Sequence, residues 1–479
     1  MTKQPVFLLS SSTLKLFILL FALLPFAAIA QNNNKIRVDS ISITGNIRTQ
    51  HFVIEHELLF KKDSIYDSTH LQSLVDESKN LLANTNLFIF ITIKMEQTIP
   101  NHYKIRVELK ENWYIWPIPF FELADRNFKQ WANLGYQTNR TNYGIYGFIY
   151  NLRGRNETLK LSLSQGYTNN YGIQYSNPFL NKSGKFGIEM SANFKQNKEI
   201  WYLTKNDALQ FYKNYNHFLI TRLESRISFI TRHTNFFTEK WEVDLKSIKL
   251  KDTLISKILN PTFLLSGNKQ NEIFINHHLI LEKRDNKFYP LTGYYIKNEV
   301  ALGKISSDTL AIEAIKETLE FGSYKKIYNA LYLSCYFKTR LSNQPKPFTP
   351  YINNKSFGYK DYVRGYEQYV IDGYAFMLAK LNIKYALLHQ YRLKLPFKIN
   401  KSHYHVPAGV YLNFYADWGK VFNTTLSSIT YNNTLTNTDL VGYGTGLDLV
   451  FFNDKILRIE YSYTILGFKN FNLHFGKAF

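Results

Sequence analysis

The chain has 479 residues, of which 45% are hydrophobic and 16% aromatic, and a formal net charge of +21. Its one cysteine, Cys335, excludes an internal disulfide, so packing and hydrogen bonds must hold the fold. After Ala30 no apolar run approaches the roughly 20 residues that a membrane-spanning helix needs.

Lys3 and Lys15 precede the run "LFILLFALLPFAAIA", which ends in Ala28-Ile29-Ala30. A positive start, an apolar centre and small residues at the exit predict a secretory signal peptide over residues 1–30. No cysteine follows at once, which argues against a lipoprotein anchor. Export turns the positive charge away from nucleic acid and toward anionic lipid or lipopolysaccharide at a membrane surface. A backbone crosses lipid only as helices or as a closed barrel, because each N–H and C=O needs a partner there. An exported chain with 35 tyrosines, 37 phenylalanines and no spanning helix therefore predicts a β-barrel of a Gram-negative-type outer membrane. A soluble periplasmic β-protein is the alternative.

Residues 35–111 read as a small α+β domain in the periplasm. "KIRVDSISITGN" is a strand ending at Gly45-Asn46, and a first helix is expected over about Thr49–Phe60. A second helix starts near Ser68, with Leu71, Leu74, Val75, Leu81 and Leu82 on one stripe. "LFIFITIKM" and "YKIRVELKE" are two strands joined through Pro100-Asn101. The strand–"GN" turn, the "NTNLF" step and the closing "VELKE" of this β-α-α-β-β order resemble a POTRA (polypeptide-transport-associated) repeat. A free strand edge in such a domain can pair with an unfolded client through backbone hydrogen bonds. A spacer or docking role is the plainer reading.

From residue 114 to 479 the chain alternates in short runs between polar loops. In "FGIEMSANF", Phe186, Ile188, Met190, Ala192 and Phe194 oppose Glu189, Ser191 and Asn193. In "TLKLSLS", Leu159, Leu161 and Leu163 oppose Lys160, Ser162 and Ser164. In "LRIEYSYTI", Leu457, Ile459, Tyr461, Tyr463 and Ile465 oppose Arg458, Glu460, Ser462 and Thr464. Period two with a charged second face fits lipid outside and a polar lumen inside. At roughly 10 residues per strand plus connections, this length suits a mainly β, antiparallel barrel of about 16 strands. The chain ends "FNLHFGKAF", where Phe471, Leu473, Phe475 and Phe479 share a face.

"YVRGYEQYVIDGY" lies in a long connection between a strand near Ser342 and one near Leu378–Leu387. Downstream, in "GVYLNFYADWGKVF", Tyr411, Asn413, Tyr415 and Asp417 form the polar set, with Gly419 beside Asp417. A loop folding back into the lumen would bring Arg364 to Asp417. Gly365 would allow a tight backbone, and Tyr362 and Tyr366 would pack around the guanidinium. An ordinary surface arginine is the alternative.

"VRGY" ahead of "YADWG", with "RDNKFYPLTGYY" and the glycine-rich "YGTGLDL", resembles the outer-membrane protein assembly-factor (surface antigen) superfamily. The resemblance implies POTRA domains before a 16-stranded barrel with a weak lateral seam between its first and last strands. It carries the loop motif onto Val363, Arg364, Gly365 and Tyr366, and the strand partner onto Asp417 with Gly419. It also makes the terminal Phe479 a barrel-recognition signal. A single POTRA domain departs from the several of the central assembly subunit and fits an accessory or specialised member.

No GxSxG, HExxH or Walker loop is present, and the histidines, His403 and His405 included, lack metal-ligand spacing. Catalysis, cofactors and metals are therefore not expected. The expected function is assembly, insertion or translocation of proteins at the outer membrane. Its partners would be membrane lipid, unfolded outer-membrane or secreted clients, and accessory periplasmic or lipoprotein subunits. A passive porin or structural protein and a dedicated secretion pore for one partner are the alternatives.

Overall fold

The computed structural model describes residues 35–123, 131–132, 135–136, 138–214, 217–251, 255, 259–344, 348–394, 405–423, 431–452 and 454–476. The expected leader over residues 1–30 and Phe479 lie outside the described residues, as do His403 and Tyr404.

The N-terminal unit comprises β1 (Lys35–Thr44), α1 (His51–Glu55), β2 (Ser64–Asp67), α2 (Ser68–Asn84), β3 (Phe88–Ile99) and β4 (His102–Glu111). Its sheet has the order β2-β1-β4-β3, with β1 parallel to β4 and the other pairs antiparallel. From α2, Leu71, Val75 and Leu82 bury against Val38, Ile105 and Val107 of the sheet. Ser78 sits in the same stripe because its hydroxyl donates to the Leu74 carbonyl (2.6 Å) and accepts from the Leu59 N–H (2.9 Å).

The N-terminal unit departs from expectation in two places. The first helix does not run to Phe60 but stops at Glu55, because Glu57 is held by Arg232 of the barrel and Leu58 and Phe60 turn into the core. The order is β-α-β-α-β-β, since β2 adds four residues antiparallel to β1. So short a strand carries no readable alternation.

The second unit is one 16-stranded antiparallel sheet. It begins with β5 (Ile115–Leu123), β6 (Thr141–Tyr150), β7 (Thr158–Gly166), β8 (Thr168–Asn177) and β9 (Phe186–Asn197). A hairpin of β10 (Glu199–Lys205) and β11 (Ala208–Lys213) stands apart from it. The wall resumes with β12 (Ile220–Arg232), β13 (Phe237–Leu250), β14 (Lys269–Glu282), β15 (Gly293–Ser306), β16 (Ala311–Tyr328) and β17 (Leu331–Ser342). After a long loop holding β18 (Lys355–Phe357) and β19 (Ile371–Asp372), it continues with β20 (Ala375–Lys394) and β21 (His405–Phe422). It ends with β22 (Leu440–Phe451), β23 (Lys455–Thr464) and β24 (Lys469–Gly476).

The alternation runs outward as expected: Leu161, Leu163, Met190, Phe414, Tyr461 and Phe471 are exposed, while Ser162, Ser164, Asn413, Asp417, Glu460 and Asn472 are buried. Apolar side chains that face out around a wall whose polar side chains face in are the inverse of a soluble barrel and match lipid as the outer solvent. The N-terminal unit docks on the short turns at one end of the wall. Arg232 bonds Glu57 (2.9 and 3.2 Å), Asn151 donates to Thr49 (2.9 Å), and Asn84 meets the Arg284 carbonyl (3.1 Å) and the Lys287 N–H (2.9 Å).

Candidate functional site

At the far end, the loop between β17 and β20 turns into the lumen. Arg364 and Asp417, expected to meet, do so: the guanidinium Nε donates to Oδ2 at 2.9 Å and the Arg364 backbone N–H to the same oxygen at 3.1 Å. Both side chains are buried, at 1% and 0% exposure. Backbone and side chain converging on one carboxylate fix the position of the loop as well as its charge.

The surrounding aromatic packing differs from expectation. The guanidinium lies on Tyr415, 3.8 Å from the ring centroid. Tyr362 instead stacks on His474, and Tyr366 packs with Val363 and Phe468. Tyr415 precedes Asp417 by two on the same inward set, so the carboxylate and the ring arrive together.

Glycines make the space for the loop. Gly365 has φ +92°, and a Cβ there would stand 2.5 Å from Thr464 Cγ2. A Cβ on Gly419 would stand 2.6 Å from both Phe357 and Val363, so this glycine serves room rather than flexibility. In β22 a Cβ on Gly442 would meet the Arg364 carbonyl at 1.8 Å.

Arg364 also opens a line of charges that the sequence reading missed. Its Nη1 is 3.4 Å from Glu460, and Arg458 lies 3.6 Å from the same oxygen. Arg458 Nε donates to Asp448 at 2.7 Å, and the Tyr289 hydroxyl donates to Asp448 at 2.8 Å. Tyr289 belongs to the turn 284–292, which Asn84 touches. The line therefore runs from the loop along the lumen to the docked N-terminal unit. Its readable sign was charge on the inward face of "LRIEYSYTI".

Glu367 joins this cluster from the loop. Burial pushes its carboxyl up to about 7, with the nearby Glu460 charge acting in the same direction. Glu367, Glu460 and His474 could hold a cation, since their ligand atoms lie within 4.8 Å of one another. Arg364 and Arg458 already flank Glu460, so a proton suits the place better than a dication.

Among the described residues no hydrogen bonds close the sheet. Every neighbouring pair of strands in the wall has a hydrogen-bonded register, but β5 and β24, its first and last strands, have none among the described residues. Near this seam the Trp116 and Phe452 rings meet edge-on at 6.3 Å.

Residues 36–112 match the model of the POTRA "surface antigen variable number repeat", and residues 151–479 that of the Omp85 superfamily domain. Among solved structures, BamA from Haemophilus ducreyi lacking POTRA domains 1–3 is similar at 14% identity, with a TM-score of 0.50, covering 92% of this chain and 84% of that one. CdiB from Escherichia coli is similar at 10% identity and a TM-score of 0.52, covering 92% of this chain and 75% of that one. At such identities these two speak for the fold. No curated protein matches. The superfamily model spans more than half of the sequence, from the turn after β6 through the loop to the last strand, and the chain belongs to the Omp85 superfamily, with one POTRA repeat ahead of its barrel.

Proposed function

We propose that this protein assembles or translocates other proteins at the outer membrane, its POTRA domain receiving an unfolded client and its barrel seam accepting the client's strands. The seam carries the reading: a 16-stranded wall whose first and last strands share no ladder offers backbone groups to an incoming strand. In lipid such groups have no water to turn to, so pairing with a client lowers their free energy without nucleotide. Membership of the superfamily supports the reading at the level of insertion or translocation. The occupied lumen argues against a passive porin. The Arg364 loop crosses it, and the β10–β11 hairpin is tied to the 431–435 segment where Asp207 accepts from the Thr434 and Leu435 N–H groups (3.0 and 3.2 Å).

Depletion of the protein followed by quantitative mass spectrometry of purified outer membranes tests this. A set of other barrels or surface proteins should fall while their precursors accumulate in the periplasm. An unchanged inventory rejects the reading.

A further inference from the structure

The two edges of the seam are not equivalent. The Tyr150 N–H donates to the Tyr114 carbonyl at 2.7 Å, so Tyr114 and Tyr150 form a hydrogen-bonded pair in register with the β5–β6 ladder. Pairing alternates, so Trp116, Ile118, Phe120 and Glu122 turn their backbone groups to β6. Ile115, Pro117, Pro119, Phe121 and Leu123 turn theirs to the seam. Both prolines of β5 therefore stand where a strand across the seam would need an N–H, and neither has one. Between the Ile115 and Phe121 N–H groups, roughly 20 Å apart at about 3.3 Å per residue, this edge donates nothing.

The opposite edge is intact. The Thr464 N–H donates to the Phe468 carbonyl at 3.0 Å, which fixes the phase of the β23–β24 ladder. Asn470, Asn472 and His474 turn to β23, while Lys469, Phe471, Leu473 and Phe475 turn to the seam, each with its N–H and C=O. Phe471, Leu473 and Phe475 point their side chains into lipid at 64, 62 and 78% exposure, so these seam-facing groups lie at membrane depth.

We infer that β24 is the receiving edge and β5 the blocked one. The inference rests on the reading above, in which the seam accepts strands, and specifies it. The prolines do two things at once. They prevent β5 from zipping onto β24, and they leave β5 with few lipid-exposed donors while it is open. The uninterrupted row of seam-facing donors, at Lys469, Phe471, Leu473 and Phe475, is on β24. The partner that fits is an antiparallel strand of an unfolded outer-membrane-type protein. It would be apolar at alternate residues, beside Phe471, Leu473 and Phe475, and small or polar between them, beside Asn470 and Asn472.

The test uses the full chain in lipid nanodiscs with a photo-crosslinking phenylalanine analogue at Leu473 or, separately, at Phe121. The probe is a peptide copying Phe186–Asn197, a strand with the required alternation. Cross-linking at 473 should exceed that at 121 by at least fivefold, and Pro117→Val with Pro119→Val should move this ratio toward one. Equal or greater cross-linking at 121 in the unsubstituted chain overturns the edge assignment and leaves strand acceptance standing. A ratio that ignores the proline substitutions, in a variant that keeps its heat-modifiable folded form, also overturns it. Cross-linking at neither position overturns strand acceptance at this seam, and the edge assignment with it.

Discussion

The carbonyl oxygen of Arg364 occupies the place where a side chain on Gly442 would begin, 1.8 Å from an ideal Cβ. The loop and the wall of the barrel are thus shaped to one another at backbone level, independently of charge. Gly442→Ala must push the loop away from β22 and lengthen the contact of Arg364 with Asp417. Overpacking of this kind costs about 1–3 kcal/mol. The conversion temperature of the folded band on cold gels should fall for Gly442→Ala and hold for Gly147→Ala, where the nearest atom would be 3.7 Å from the Cβ.

The Arg364–Asp417 pair should behave as a unit. Arg364→Ala leaves Asp417 buried with Lys380 at 3.7 Å, and Asp417→Ala leaves Arg364 with Glu460 at 3.4 Å. Each single change should cost on the order of 3–5 kcal/mol, because it strands a buried charge. The double change should cost much less than the sum. Additive losses in detergent unfolding would remove the pair as the lock.

The outward alternation was legible because lipid imposes it on every strand, whereas β2 was invisible at four residues. The Arg364–Asp417 meeting was reached through family resemblance and the inward phase of Asp417; nothing local in "VRGY" says where the loop goes. Tyr415 took the place expected of Tyr362 and Tyr366 on the guanidinium, because the nearest aromatic in sequence is not the nearest across the lumen. The seam had a sign in "WPIPF". Two prolines spaced by two in an aromatic strand mark an edge, since proline cannot sit inside a ladder.

The loop should be less stable at neutral than at acid pH. Glu367, facing Glu460, Arg364, Lys380 and His474, is pushed up to about 7, and Asp372, facing Lys355 and Tyr359, to about 6, in both cases mainly by burial. A carboxyl whose pKa is raised on folding holds its proton longer in the folded state. Its favourable contribution is full below the unfolded value near 4.5 and is lost as pH rises to about 7. Burial lowers Lys355 to about 7, and this opposes the trend only above that pH. The conversion temperature should drop between pH 4.5 and 7, and Glu367→Gln should flatten the drop. An unchanged slope in that variant removes Glu367 as its source.

The line of charges along the lumen predicts that the POTRA dock and the loop feel one another. Tyr289→Phe deletes the hydroxyl that donates to Asp448 while keeping the ring. A hydrogen bond to a charged group contributes about 1.5–3 kcal/mol, so the barrel should lose stability on that scale. The informative reading lies at the far end. Asp448 would retain Arg458, which stands 3.6 Å from the Glu460 oxygen that Arg364 also approaches. If these contacts transmit, protease sensitivity of the loop around Arg364 should rise in Tyr289→Phe. It should rise again when Asn84→Ala, in the POTRA helix, frees the 284–287 turn. Because coupling is reciprocal, Asp417→Ala should in turn raise hydrogen exchange in α2 near Asn84. Loss of stability with loop protection unchanged would mean that Tyr289 anchors only its own turn, and that the two ends of the barrel act separately.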